Sequence, residues 1–107
     1  MTETKIYVGL NDAENMKQEH ETARYVSILR NVCRSYHIPF SFSTAEGGYF
    51  HEDGRYTQEN TLVLSLIDAE RDTVNEIAKD LCAFFRQESV LITENTVRAY
   101  MVNEKLG

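Results

Sequence analysis

The chain has 107 residues, 42% of them hydrophobic and 10% aromatic. That length and richness exclude a disordered chain and point to one domain able to bury a core without metal or disulfides. The formal net charge of −6 argues against a nucleic-acid backbone as the main partner, since phosphate binding needs clustered Lys and Arg.

The opening Met1-Thr2-Glu3-Thr4-Lys5 leads into a strand over Lys5–Leu10, where Ile6, Val8 and Leu10 alternate with Tyr7 and Gly9. There is no signal-peptide h-region, and no apolar run approaches the roughly 18 residues of a membrane span. A cytoplasmic protein without membrane contact is expected. Asn11 and Glu14 have the spacing of a capping box, and a first helix is predicted from about Asn15 to His37. Its stripe is Tyr25, Val26, Leu29, Val32, Cys33 and Tyr36. Arg24, Arg30 and Arg34 fall mostly off the stripe, on the solvated side. His20 is expected on the helix surface and His37 at its end, where a cation favours the helix dipole. Pro39 stops the helix.

A second strand is predicted over Phe40–Phe50 and a third over Arg55–Ile67, with Asp53-Gly54 as the turn between them. A second helix follows over about Arg71–Gln87, with Thr73 and Glu76 as its capping box. Its stripe is Val74, Ile77, Ala78, Leu81, Cys82 and Phe85. A fourth strand is predicted over Ser89–Thr93, and Val97–Val102 is a candidate edge strand. The order β-α-β-β-α-β is that of an α+β, ferredoxin-like sandwich, with two helices on one face of a four-stranded antiparallel sheet. Cys33 and Cys82 lie on helix stripes and read as buried thiols in a reducing compartment.

Register sharpens the hairpin. A two-residue turn at Asp53-Gly54 sets Glu52 opposite Arg55 and His51 opposite Tyr56. Continued unbroken, it puts Phe40 and Phe42 on the face away from Leu62, Leu64 and Leu66. A bulge at Gly47-Gly48 restores one apolar face, with Phe42 opposite Leu64 and Phe40 opposite Leu66. The other face then carries Tyr7, Gly9, Ser41, Ser43, Ala45, Val63, Ser65, Ile67 and Leu91. A bare face of that composition is expected to meet another copy of the chain.

The chemistry-bearing groups concentrate in the same hairpin: Glu46, Tyr49, His51, Glu52, Asp53, Arg55, Tyr56 and Glu59. His51, Glu52 and Asp53 are contiguous on a strand, so they point to alternate faces and make a poor metal site. No Ser-His-Asp or Cys-His spacing is present, and Gly47-Gly48 lacks the pattern of a phosphate loop. Gln87-Glu88-Ser89-Val90 forms a polar joint between the second helix and the fourth strand.

From Glu46 onward the chain resembles an uncharacterised family of small bacterial and phage-type proteins. The shared features are Gly48-Tyr49, the Asp53-Gly54 hairpin, Glu59 and the step from Gln87 to Val90. The long hairpin is also similar to that of the PII signalling proteins and the CutA-type group. That resemblance implies a homo-oligomer with ligand sites between subunits. The chain departs from PII in lacking lysine- and glycine-rich nucleotide signatures, and from CutA in lacking tryptophan.

The reading of the sequence is a homo-oligomer that binds rather than catalyses. Its ligand is expected to be a small anionic metabolite or nucleotide, lined by Tyr49, His51, Arg55, Tyr56 and Glu59, with no cofactor. A small acidic inhibitor or adaptor acting by protein contact is the alternative. An enzyme of the dimeric α+β-barrel type, with His51 as base, is the third.

Overall fold

A computed structural model describes residues 1–105. The elements run β1 (Thr2–Gly9), α1 (Thr22–Ser35), β2 (Ser41–Phe50), β3 (Tyr56–Ile67), α2 (Arg71–Phe85) and β4 (Leu91–Thr96). The strands form one four-stranded antiparallel sheet in the order β2-β3-β1-β4. This is the ferredoxin-like α+β fold. Ile6 and Val8 of β1 and Leu62, Leu64 and Leu66 of β3 point to one side, where they are buried against Leu29, Val32 and Cys33 of α1 and Ile77, Leu81 and Phe85 of α2. The period-2 and period-3.6 apolar patterns thus meet in one core.

Helix α1 begins later than its sequence suggests. Residues from Asn11 to His20 form a compact loop instead, closed by an Asn11–Gln18 bridge and by the Asp12 amide donating to the Lys17 carbonyl at 2.8 Å. The Asp12 and Asn15 side chains accept from the Glu14 and Lys17 amides, at 2.8 and 3.0 Å. Such local bonds compete with helix formation. Asn11 and Glu14 therefore cap nothing, and His20 lies before the helix, whose N-cap is Glu21. The N-cap of α2 is likewise Glu70, which places Thr73 and Glu76 inside the helix rather than in a capping box. Helix α2 stops at Phe85, because Arg86 turns left-handed at φ 54° and closes the end. Strand β4 starts at Leu91, and no edge strand follows it among the described residues. Cys33 is fully buried, whereas Cys82 is half-buried.

The hairpin corrects the expected bulge. β2 and β3 pair without interruption from Ser41↔Ser65 to Phe50↔Tyr56, through Gly47↔Glu59 and Gly48↔Gln58. Phe42 does face Leu64. The additional residue sits in the turn instead. The His51 amide donates to the Arg55 carbonyl at 2.8 Å and the Gly54 amide to the His51 carbonyl at 2.9 Å. The loop is therefore Glu52-Asp53-Gly54, with Gly54 at φ +88° in the left-handed position such loops require. His51 then faces Arg55 rather than Tyr56. Arg55 pairs with Asp53 at 2.7 Å, not with Glu52.

The radius of gyration is 15.9 Å, against about 13 Å for a compact chain of this size. The longest axis is 60 Å. The distal hairpin, exposed along most of β2, contributes to this length as an arm, as do the exposed residues after β4.

Candidate functional site

The open face of the sheet gathers the odd-numbered side chains of β1 and β3. Gly9 and Glu59 are among them, and Tyr49 joins them through its pairing with Thr57. The Glu59 carboxylate lies across the end of β1. Its Oε2 accepts the Asn11 amide at 3.0 Å. A Cβ on Gly9 would stand 2.5 Å from the carboxyl carbon, so the acid occupies space that only glycine leaves open there.

Asn11 ties this end together. Its side-chain Nδ2 donates to the Gln58 carbonyl at 3.2 Å, and its own carbonyl accepts Nε2 of Gln87. Gln87 is held because the left-handed turn at Arg86 aims the chain back towards β1. Arg86 adds a 2.8 Å ion pair to the buried Asp12 carboxylate. The Gln87-Glu88-Ser89 joint is thus stapled to the loop after β1.

Between these parts lies a cleft of about 310 Å³, lined by Asn11, Ala13, Met16, Tyr49, Glu59, Gln87, Glu88 and Ser89. That volume is at the lower end of small-molecule sites. Two carboxylates, amide groups, a hydroxyl and a phenol line it, with no lysine or arginine. Among the described residues no cluster of His, Cys, Asp and Glu has the arrangement of a metal site.

Of the five residues singled out in the sequence, Tyr49 and Glu59 line the cleft. His51 is on the same face, with its ring 5.2 Å from that of Tyr49 and its Nε2 2.7 Å from Thr57 Oγ1. Tyr56 is on the opposite face, its phenol lying over Gly48. Arg55 is at the end of the arm, exposed and paired with Asp53. The Arg55 amide, and then its guanidinium, hold the Asp53 carboxyl below its usual value. Glu46 accepts from Gln58 at 2.8 Å, away from the cleft. Gly9, Asn11, Ala13 and Met16 were not singled out as site residues. Gly9 carried a signal: a glycine ending an alternating strand often marks a close approach by another group.

A larger, mostly apolar groove of about 450 Å³ runs between the helices, lined by Ile28, Asn31, Val32, Ser35, Asp80 and Phe84. It is on the other side of the sheet from Glu59. There Tyr36 donates to Asp80 at 2.6 Å, and that bond, with partial burial and the nearby acids, raises the phenol to about 12. A structural tie between α1 and α2 accounts for it.

No protein-family model matches the chain, and no curated protein matches it. Solved structures do. A phage SAM lyase in complex with S-methyl-5'-thioadenosine superposes with a TM-score of 0.65 at 23% identity, over 88% of this chain and 79% of that one. GlnK of B. subtilis, in complex with ATP, gives a TM-score of 0.53 at 13% identity, over 89% of this chain and 84% of that one. The periplasmic divalent cation tolerance protein CutA of Archaeoglobus fulgidus gives 0.52 at 12% identity, over 92% of this chain and 87% of that one. At these identities the likeness is one of fold.

Proposed function

We propose that this chain is the subunit of a homo-oligomer that binds an S-adenosyl compound in the Glu59 cleft, and that it cleaves S-adenosylmethionine to S-methyl-5'-thioadenosine. The observation that carries this reading is the composition of the cleft: a fixed carboxylate beside Tyr49 and no cationic side chain. A triphosphate needs lysines, arginines or a metal to offset its charge. S-adenosylmethionine instead brings a sulfonium, an ammonium and ribose hydroxyls, all served by a carboxylate and polar neighbours. The expectation of an anionic ligand is therefore replaced by one of a net cation. Two of the similar structures hold adenosine compounds, and one of those, the lyase, holds the thioether product.

The reaction needs no base. The substrate's own carboxylate attacks its γ-carbon, a C–O bond closes a lactone, and the C–S bond breaks with its electron pair passing to sulfur. The sulfonium becomes a neutral thioether, and no proton moves. A site for this reaction has to fold the substrate and exclude water. Glu59 would not face the sulfonium, because attraction to a charge that vanishes in the transition state would favour the ground state. It belongs on the ribose hydroxyls, which the reaction leaves unchanged and the thioadenosine product keeps. Tyr49 offers an aromatic face to the adenine.

Surfaces the monomer leaves open support the oligomer. Leu91 and Ile67 on the open face are 62% and 48% exposed, and β2 is an edge strand exposed along nearly its whole length. The arm would carry Arg55, Tyr56 and His51 to the rim of a neighbouring subunit's cleft.

The test is incubation of the purified protein with S-adenosylmethionine and detection of S-methyl-5'-thioadenosine by mass spectrometry. Product should accumulate with the wild type and fall by about 100-fold or more in Glu59→Gln, an effect of the size of losing a key polar contact in a water-excluded site. Binding without product would retire the lyase and leave a sequestering role. Neither binding nor product would retire the reading.

A further inference from the structure

Glu59 is useful to a ligand only if its carboxylate points one way, and a glutamate on an open sheet face has three rotatable bonds with which to wander. Two features of β1 remove that freedom. The Asn11 amide holds Oε2 at 3.0 Å. Gly9 leaves open the space the carboxyl group occupies: a Cβ there would fall 2.5 Å from Cδ and Oε2 and 2.6 Å from Oε1. Real Cβ atoms do not approach so closely, so any side chain at position 9 displaces the whole carboxyl group and breaks its bond to the Asn11 amide. Gly47, which pairs with Glu59 from the other side, differs. A Cβ there would meet only the Glu59 backbone oxygen, at 3.9 Å. Gly9 does not owe its place to backbone conformation, since among the described residues Gly54 is the positive-φ glycine.

We propose that Gly9 is a positioning residue for the ligand site: its missing side chain seats the Glu59 carboxylate flat across β1, where the Asn11 amide orients it into the cleft. This inference rests on the Glu59 cleft being the ligand site. It adds a requirement on β1 that the cleft's chemistry alone does not impose. Carboxylate placement, not carboxylate presence, then sets affinity, so a variant can keep Glu59 and lose the ligand.

The test compares Gly9→Ala, Gly47→Ala, Glu59→Gln and the Gly9→Ala/Glu59→Gln pair. Calorimetry with S-methyl-5'-thioadenosine should show binding weakened about tenfold or more in Gly9→Ala, the size of a lost bond to a charged group. Gly47→Ala should bind as the wild type does. The two changes should not add, because Gly9 acts through Glu59. A ligand-free readout separates this inference from the functional one. The Asn11 amide proton resonance, shifted by its bond to a carboxylate, should move in Gly9→Ala and in Glu59→Gln, stay put in Gly47→Ala, and move no further in the double variant. An unmoved Asn11 amide in Gly9→Ala overturns the positioning role whether or not the thioadenosine binds. Additive losses of affinity in the double variant overturn it as well. If the wild type binds no thioadenosine while the amide behaves as described, the seat is real and the ligand assignment is what fails.

Discussion

At the residue scale, Cys33 shows how burial alone sets chemistry. Its side chain is fully enclosed, and loss of hydration raises the thiol from 9.0 to about 11. The unfolded chain ionises first, so the thiol leaves stability unchanged below pH 9 and lowers it as pH rises from 9 towards 11. Denaturant melts of wild type and Cys33→Ala should therefore converge in slope below pH 9, with the wild type losing more stability between pH 9 and 10.5. At neutral pH an alkylating reagent should modify half-buried Cys82 and spare Cys33 in the folded protein. Glu59 and Tyr49 were legible as candidates because polar and aromatic groups concentrate in the hairpin. Their union with Asn11 and Gln87 was not legible. It depends on a side chain reaching across β1 and on a left-handed turn at Arg86, neither of which has a local pattern.

At the element scale, the hairpin separates what periodicity can decide from what turn chemistry decides. The alternation of Leu62, Leu64 and Leu66 against Phe42 required the observed register, and that part was legible. The place of the additional residue was not, because Gly47-Gly48 and Gly54 both offer a glycine. The structure puts it at Gly54, the one with φ +88°. Gly54→Ala should then cost about 1 kcal/mol in chemical denaturation, the penalty for a side chain in the left-handed region. Gly48→Ala is different in kind. Its Cβ would stand 2.0 Å from the Tyr56 hydroxyl, so the phenol must leave β2, and the change should appear in tyrosine spectra. Helix α1 was overextended for a related reason: Asn15 to Glu21 contains good helix formers, yet no residue of the apolar stripe precedes Tyr25. Tertiary packing, not propensity, decided where that helix starts.

For the whole molecule, β-α-β-β-α-β order and right-handed crossovers leave few ways to arrange four strands, and the order β2-β3-β1-β4 is the one expected. Self-association cannot be read from topology. The proposal of self-association rests on the open face, on the β2 edge and on an arm with exposed Phe50 and Tyr56, 74% and 57% accessible, their rings 5.2 Å apart and tilted. Light scattering should give a mass that is a multiple of 12.3 kDa. Ile67→Glu with Leu91→Glu should return the monomer, since like charges on an apolar contact cost several kcal/mol. A monomeric wild type at micromolar concentration would remove the arm from the site.

The pairing of β1 has a temporal meaning. It is a central strand, flanked by β3 and β4, and its first partner residue on β3 is made long after it. The cleft waits longer still, for Gln87 to bond Asn11. At synthesis rates of about 5–20 residues per second, the interval from Gly9 to Gln87 is on the order of ten seconds. Until β3 emerges, a nascent chain presents Ile6, Val8 and Leu10 without a sheet to receive them. The ribosome therefore releases a protein in which β1, made before its partners, is among the last strands to be closed, and whose cleft is complete only after Gln87 has emerged.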